Sequence, residues 1–284
     1  MTQQHPTLEP ADQRHRAEAF ASLHGASTFV IPNPWDAGST RAFTAAGFPA
    51  VATSSAGLAF TLGRADGANL VGRDETLDNV RAIAAATHLP VSADLESGFG
   101  PGPEDVAETI RLAALAGAVG GSVEDATGDP DAPILPLAEA VRRVEAAVAA
   151  ARALSFPFTL TARAENFLYG VSDLDDTVRR LRAYESAGAD VLYAPGLPDL
   201  DAVRTVCAAV GRPVNVLAGG STAVTVAQLA EAGARRISLG SALARAALSA
   251  AVNAAREIAD TGTFGFSTGT LGYAQLNELM RTGR

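Results

Sequence analysis

Short apolar segments rich in β-branched residues recur along the chain and alternate with longer helical patterns. Four of them follow an Ala-Gly pair, as in SAGADVLYAPG, and three follow a proline, as in HLPVSADLE. Glycine at the end of a helix and proline ahead of a strand are common boundary signals. With the segment that starts at Phe29, the pattern predicts eight strands, over residues 29–32, 50–53, 90–94, 120–124, 158–162, 190–194, 213–217 and 236–240.

Most gaps between these strands hold one helical pattern, namely 103–116, 137–153, 174–187 and 223–232. Short strands that alternate with longer helices predict βαβ units and a parallel sheet. Eight such units are what a (β/α)8 TIM barrel requires. The alternative is a doubly wound open sheet, which normally has fewer strands and a glycine-rich phosphate-binding turn after the first. Here Asn33-Pro34-Trp35-Asp36 follows the first strand, so we predict an α/β fold of the TIM-barrel type.

The chain shows no linker or low-complexity block, so we predict a single domain over residues 1–284. Residues 1–10 are expected to form a flexible tail, and residues 11–24 an N-terminal helix across the barrel floor. Residues 246–284 are expected to add a C-terminal helical extension after the last strand.

The composition excludes several kinds of chemistry. All 22 basic residues are arginine, so a lysine Schiff base and a P-loop lysine are excluded. One cysteine, Cys207, and four histidines that all precede residue 89 leave neither thiol nor imidazole for the predicted mouth. The net charge of -9 argues against nucleic acid and anionic membranes as partners. Because no apolar run resembles a signal peptide or a membrane span, we expect a cytoplasmic protein.

Acidic residues cluster where the predicted strands end, which is the end of a TIM barrel that carries function. Asp94 and Glu96 end the third strand, and Glu124 and Asp125 end the fourth. Carboxylates that meet at a barrel mouth without lysine repel one another, and a hard divalent cation relieves that repulsion. Ligation by oxygen alone favours Mg2+ or Mn2+. The alternative is that these acids cap helices or pair with surface arginines.

Other candidate groups follow neighbouring strands. Arg163, after the fifth strand, is suited to an anionic substrate group or to charge that develops in the transition state; alternatively, it forms an internal salt bridge to Glu165 or Glu124. The turn Thr53–Gly57 can present hydroxyl and backbone N–H groups to a carboxylate. Trp35 either walls the pocket or packs beneath it. The polar connection 57–73, which holds Asp66, is either a lid or an ordinary loop.

Taken in order, these segments resemble the isocitrate lyase/phosphoenolpyruvate mutase superfamily. The resemblance extends from about residue 25 to residue 280. The matching motifs are Asn33-Pro34-Trp35-Asp36-Ala37-Gly38-Ser39, Thr53-Ser54-Ser55-Ala56-Gly57, Asp94-Leu95-Glu96-Ser97-Gly98-Phe99-Gly100, Val123-Glu124-Asp125, Thr161-Ala162-Arg163-Ala164-Glu165 and Asn277-Glu278-Leu279.

The resemblance implies a Mg2+-dependent barrel enzyme that acts on a small α-oxo acid or phosphonate. It implies Asp94 as the direct metal ligand, Glu96 in a place where the family usually has Asp, and Glu124 as a ligand through water. It also implies Arg163 as the catalytic arginine and Asp66 as the acid of a lid loop. Ser54, Ser55 and Ala56 occupy the turn that holds the substrate carboxylate. Family members commonly exchange a C-terminal helix, which implies a homodimer or homotetramer.

Differences between this sequence and the family's motifs limit the reactions that we expect it to catalyse. The organic-acid lyases carry a Lys-Arg-Cys-Gly-His block after Glu-Asp, whereas this chain has Gly128–Ile134 without lysine, cysteine or histidine. We therefore expect cleavage or rearrangement of a C–C or P–C bond through a pyruvate-type enolate, and not isocitrate lyase activity. The final proton would come from water or Tyr193. The alternatives are a non-catalytic α-oxo acid binding protein on the same barrel and an unrelated metal-dependent aldolase.

Overall fold

The structure is a computed structural model that describes residues 9–67, 69–220 and 224–282. Residues 1–8, which make up most of the predicted flexible tail, lie outside the described residues. The first helix begins at Pro10, one residue before the predicted start.

The eight predicted strands are all present, and each boundary lies within two residues of its predicted position. They are β1 Phe29–Ile31, β2 Val51–Ala52, β3 Val91–Asp94, β4 Gly120–Glu124, β5 Thr159–Arg163, β6 Val191–Tyr193, β7 Val214–Leu217 and β8 Arg236–Ser238. Every pairing is parallel, in the order β1-β8-β7-β6-β5-β4-β3-β2. Between β1 and β2, the amide of Ala52 donates to the carbonyl of Pro32 at 3.0 Å. The sheet is therefore a nearly closed TIM barrel, as predicted, and not an open doubly wound sheet.

Helices follow the strands around the outside of the barrel. They are α1 Pro10–Leu23, α2 Ala37–Ala45, α3 Ser55–Thr61, α4 Arg73–Ala85, α5 Pro103–Leu115, α6 Leu137–Arg152, α7 Leu174–Ser186, α8 Leu200–Ala209, α9 Val226–Glu231, α10 Ala242–Thr261 and α11 Tyr273–Thr282. The N-terminal helix and the C-terminal helical extension are confirmed. The connection predicted over 57–73 is shorter than expected, because α3 occupies its start and buries Leu58 and Ala59.

The core lies between the sheet and the ring of helices, where apolar side chains from both layers are removed from water. One cluster of buried side chains includes Leu160 of β5 and Ile110 of α5, and another includes Ile237 of β8 and Leu181 of α7. Burial of such side chains is the main favourable contribution to folding. Within the described residues, no helix combines the length and apolar character that a membrane crossing requires.

The barrel floor is plugged by α1, as its position in the sequence predicts. Phe20 is fully buried there and packs with Phe29 of β1. Gly120 of β4 permits this contact, because a Cβ at that position would lie 2.8 Å from both the Phe20 ring and the Thr159 carbonyl. His24 follows α1, is buried, and stacks edge-on against Phe20 and Phe29.

His24 makes the stability of the barrel depend on pH. Burial and the nearby charge of Arg236 lower the pKa of His24 to about 3 from 6.5. The unfolded chain therefore binds the extra proton first as the pH falls below 6.5. We expect this residue to lower the free energy of unfolding by up to about 1.4 kcal/mol for each pH unit between these values.

The measurement is urea denaturation between pH 4 and pH 7.5 on wild-type protein, His24→Gln and His88→Gln. His24→Gln removes the titrating group, and we expect it to flatten the profile over this range. His88 is exposed and serves as the matched control. Parallel profiles for all three proteins would contradict this role of His24.

Candidate active site

Three of the predicted functional residues are the last residues of adjacent strands. Asp94 ends β3, Glu124 ends β4 and Arg163 ends β5, so all three stand at the C-terminal mouth of the barrel. The strand register pairs Glu124 directly with Arg163. The backbone amide of Asp94 donates to Thr53 Oγ1 at 2.8 Å, which ties the end of β3 to the segment after β2.

The Arg163 guanidinium lies where three carboxylates meet. It donates to Asp94 Oδ1 at 3.0 Å and to Glu165 Oε1 at 2.8 Å, and its Nη2 is 3.1 Å from Glu124 Oε2. The guanidinium carbon also lies 5.1 Å from the centre of the Tyr193 ring, which is a cation–π contact. The internal salt bridges considered from the sequence are therefore present, and to three acids at once.

Burial disfavours the charged forms of the carboxylates in this cluster. It raises the pKa of Glu124 well above the ordinary value and also raises that of Glu165, although the charge of Arg163 opposes both shifts. Burial disfavours the charged form of Arg163, but Glu124, Glu165 and Asp94 outweigh it and raise the pKa of the guanidinium. One cation cannot neutralise three ionised carboxylates, so a proton or another cation must share the site.

Two further acids add to the negative charge. Burial and the charges of Asp94 and Asp66 raise the pKa of Glu96 to about 7. Partial burial, followed by the charge of Asp94, raises the pKa of Asp66. Glu96 also has a left-handed backbone with φ of 47°, a conformation that non-glycine residues seldom adopt outside functional sites.

A cavity of about 220 Å³ opens at this mouth and reaches down into the barrel. Its wall includes most of the predicted substrate-binding residues together with polar groups from inside the barrel. The lining residues include Ser54, Ser55, Ala56, Asp66, Ser92, Asp94, Ser122, Arg163, Tyr193, Asn215, Arg236 and Ser238.

The serine turn after β2 faces this cavity, but part of its hydrogen-bonding capacity is already used. Ser54 is the N-cap of α3, and its Oγ accepts from the amide of Gly57 at 3.1 Å. The Ser55 amide donates to Asp94 Oδ2 at 3.1 Å. Because Ser55 and Ala56 begin a helix, their amide groups are oriented as an anion site requires.

Trp35 lies outside the described lining of this cavity. Its ring contacts Phe43 edge-on at 6.0 Å, and its carbonyl accepts from the Asn79 side chain at 2.8 Å. Of the two roles considered from the sequence, packing beneath the pocket is the one that these contacts support. The neighbouring Asp36 caps α2, with its Oδ1 accepting from the Ser39 amide at 2.7 Å.

Asp125 does not join the acidic cluster. Successive residues of a strand face opposite ways, so its side chain turns from Glu124 toward the surrounding helices. It accepts from the Glu165 amide at 2.8 Å, from Arg180 at 3.0 Å and from the Tyr184 hydroxyl at 2.5 Å. This buried network fixes the end of β4, next to Glu124, and the segment after β5, which carries Glu165, against α7.

Sequence reasoning missed the polar residues inside the barrel. Ser92, Ser122 and Asn215 lie within strands and Arg236 begins one, so none of them is at the C-terminal end of a strand, and the search for mouth residues gave them no role. Alternation within β8 was the available signal, because Arg236 and Ser238 share one face while Ile237 packs in the core.

The segment after β4 is a short closed loop. Ala126 pairs with Ile134 in an isolated antiparallel bridge, and the Thr127 amide donates to the Pro133 carbonyl at 2.9 Å. Asp129 and Asp131 on this loop are exposed. The loop therefore contributes negative charge to the mouth, without an imidazole, a thiol or an amine.

The fold and the site together define a class of protein, a (β/α)8 barrel with an acidic site and one arginine at its C-terminal mouth. The family model described as phosphoenolpyruvate phosphomutase matches residues 20–259. The chain therefore belongs to this family, within the isocitrate lyase/phosphoenolpyruvate mutase superfamily, whose members include lyases and mutases.

Three similar proteins illustrate this membership. A solved structure from Burkholderia cenocepacia J2315, described provisionally as a lyase/mutase, is 54% identical with a TM-score of 0.91, covering 94% of this chain and 96% of that one. The oxaloacetate decarboxylase of Bradyrhizobium diazoefficiens is 32% identical over 72% of each chain. The 2-methylisocitrate lyase of Shewanella oneidensis is 29% identical over 79% of this chain and 80% of that one.

The Asp125 network gives a stability prediction. Tyr184→Phe keeps the ring but removes the hydroxyl that donates to Asp125. We expect the free energy of unfolding to fall by about 1.5–3 kcal/mol, because a hydrogen bond to a buried charge is lost. Urea denaturation at pH 7 measures it. Tyr273→Phe, at a residue that is 86% exposed, is the control. Equal losses in both variants would contradict the role of the network.

Proposed function

We propose that this protein cleaves or rearranges a C–C or P–C bond in a small α-oxo carboxylate through a pyruvate-type enolate, with Mg2+ or Mn2+ as cofactor. The observation that carries the proposal is the convergence of Asp94, Glu124 and Glu165 on Arg163 beside a cavity of about 220 Å³. Family membership and the similarity to an oxaloacetate decarboxylase support the same chemistry.

The donor set fits a hard divalent cation. Asp94, Glu96, Glu124 and Asp66 offer oxygen atoms alone, and their negative charge exceeds that of Arg163. In the arrangement described, no three acidic, imidazole or thiol side chains are spaced to hold a metal ion. Binding of the ion therefore requires Asp94 and Glu124 to give up part of their contact with Arg163. Asp94, Glu96 and Glu124 would hold the ion, which would stabilise negative charge on an α-oxo oxygen.

The chain's own groups would perform the remaining tasks. The amides of Ser55 and Ala56 and the Ser54 hydroxyl would orient the substrate carboxylate. When the bond between the carbon next to the carbonyl and the departing carboxylate or phosphoryl group breaks, its electron pair stays with that carbon and delocalises onto the enolate oxygen, where the Arg163 guanidinium would oppose the charge. Burial raises the pKa of Tyr193 to about 12, so this phenol is protonated at neutral pH and can donate a proton to the enolate carbon.

Asp94→Asn tests this proposal, because it removes one charge and keeps the shape of the side chain. We expect wild-type protein with Mg2+ to convert at least one of oxaloacetate and phosphonopyruvate. We expect the variant to lose at least about 100-fold in kcat/KM. Asp131→Asn, at an exposed acid on the loop after β4, is the matched control and should retain activity.

The other outcomes separate the alternatives. Turnover by Asp94→Asn equal to wild type would contradict the role of this residue. Tight binding of α-oxo acids by the wild-type protein, without turnover of any compound, would favour the non-catalytic binding protein. The loop after β4 is the feature that would explain such a result, because it lacks the acid–base residues of the family's lyases.

We also propose that the chain assembles into a homodimer or homotetramer through its C-terminal helices. Helix α10 has 20 residues, of which Ala244 alone is fully buried. Leu248, Val252 and Ile258 on this helix are 42–47% exposed. An apolar helix surface of this kind is usually covered by another protein surface, and a second copy of this chain would cover it.

Light scattering after size-exclusion chromatography tests the assembly. We expect a mass of at least twice 28.9 kDa for the wild-type chain. We expect the double variant Leu248→Asp/Val252→Asp to shift toward the monomer, because two charges would have to be buried in the interface. Asn253→Asp on the same helix is the control. A monomeric wild-type protein would contradict the assembly.

A further inference from the structure

Arg236 is a second arginine of the cavity, well inside the barrel. It is the first residue of β8, and only 5% of it is exposed. Its Nε donates to Asn215 Oδ1 at 2.9 Å, and its Nη2 donates to Thr161 Oγ1 at 3.0 Å. Its Nη1 lies 3.4 Å from His24 Nε2, below it at the barrel floor.

The hydrogen-bond partners of Arg236 are all neutral. Asn215 and Thr161 carry no charge, and His24 is uncharged near neutral pH because its pKa is about 3. In the part of the chain that the structure describes, no carboxylate lies within ion-pairing distance of Arg236. Burial lowers the pKa of Arg236 to about 10, which still leaves it charged at neutral pH. A buried charge without a counter-charge is costly, and proteins normally pair it.

The surroundings of Arg236 suit an anion. It lines the same cavity as Arg163, and these two arginines are the cationic side chains among its described lining residues. Ser92, Ser122 and Ser238 add hydroxyl groups to the same wall. Hydroxyls and a guanidinium are the usual donors to carboxylate and phosphonate oxygens. The volume of about 220 Å³ is more than ten times the roughly 10–15 Å³ that one buried water molecule needs, which is enough for a small organic acid.

The two ends of the cavity differ in charge. At the mouth, Asp66, Asp94 and Glu96 exceed the positive charge, and Arg163 is already bonded to three carboxylates. Even with a divalent cation bound, the acids of the mouth outnumber its positive charges, so no free cation remains there for a second anionic group. Inside the barrel, Arg236 offers a cation with no acid beside it. The favourable direction for a second negative group is therefore inward, toward Arg236.

We propose that Arg236 binds the second anionic group of a dianionic substrate, a carboxylate or a phosphonate, while the α-oxo acid end is held at the mouth by Ser55, Ala56 and the site around Asp94. This inference rests on the proposed function and specifies the substrate class. It assigns the cavity to molecules with two anionic groups. Arg236 then acts in specificity, because a monoanion leaves its charge unpaired.

Calorimetry on the full chain with Mg2+ tests this assignment with two probes. Pyruvate carries one anionic group, and 3,3-difluorooxaloacetate carries two and resists cleavage. We expect wild-type protein to bind the dianion more tightly than pyruvate. Arg236→Met should raise the dissociation constant of the dianion by about 100-fold, because one partner of a buried charge pair is removed. It should leave pyruvate binding nearly unchanged.

Two further variants control for charge and for general disturbance. Arg236→Lys keeps a cation and should retain part of the preference for the dianion. Arg235→Met changes the adjacent arginine, which donates to the Ala26 carbonyl outside the cavity, and should bind both probes as wild type does.

If Arg236→Met fails to fold, an electron-density map from wild-type crystals soaked with the dianion decides. A distal carboxylate beside Arg236 supports the proposal, and one that points toward solvent overturns it.

The outcomes separate this inference from the function on which it rests. Equal weakening of both probes in Arg236→Met, or no weakening of either, would overturn the role of Arg236 and leave the proposed function intact. Binding of neither probe by wild-type protein would refute the proposed function, and this inference with it. Inorganic phosphate is the third probe. If it bound at Arg236 together with pyruvate, and the dianion had no advantage, the site would belong to a free ion and the proposal would fail.

Discussion

The imbalance of charge at the barrel mouth is the constraint on which the rest of the site depends. Arg163 holds Asp94, Glu124 and Glu165 within hydrogen-bonding distance, and burial strengthens every repulsion among these acids. Such a site is stable only if protons or a cation offset the excess. The same excess of negative charge makes the site suitable for a divalent ion, and the bound ion together with Arg163 would then oppose the negative charge of an enolate.

The barrel makes this concentration of charge tolerable. The acids stand on the ends of adjacent parallel strands, so backbone hydrogen bonds fix their spacing. Behind them Asp125 secures the segments after β4 and β5 to α7 through Arg180 and Tyr184. Because the acids are already held in place in the folded protein, their repulsion lowers the stability of the fold and does not add to the activation free energy of the reaction. The core between the sheet and the helices supplies the opposing stability.

Inside the barrel the cavity carries the positive charge of Arg236, whereas its mouth is negative. The two ends of the cavity therefore favour different parts of a substrate. Arg236 is surrounded by neutral partners, whereas Arg163 is shared by acids. A substrate with two anionic groups would match both ends, one through the helix start at Ser55 and the ion site and one through Arg236. The chain would therefore distinguish its substrates by the number and spacing of their negative groups.

Local signals in the sequence determined the barrel. Apolar runs bounded by Ala-Gly or proline predicted all eight strands within two residues, because strand and helix boundaries depend on nearby residues. Position at strand ends also predicted that Asp94, Glu124 and Arg163 would stand together at the barrel mouth, and they do. Only the tertiary structure decided that Asp125 turns away, that Ser54 caps α3, that Trp35 packs outside the cavity lining, and that Arg236 lies unpaired inside the barrel. These outcomes depend on which side chains from distant segments meet, and closure of the barrel brings those segments together.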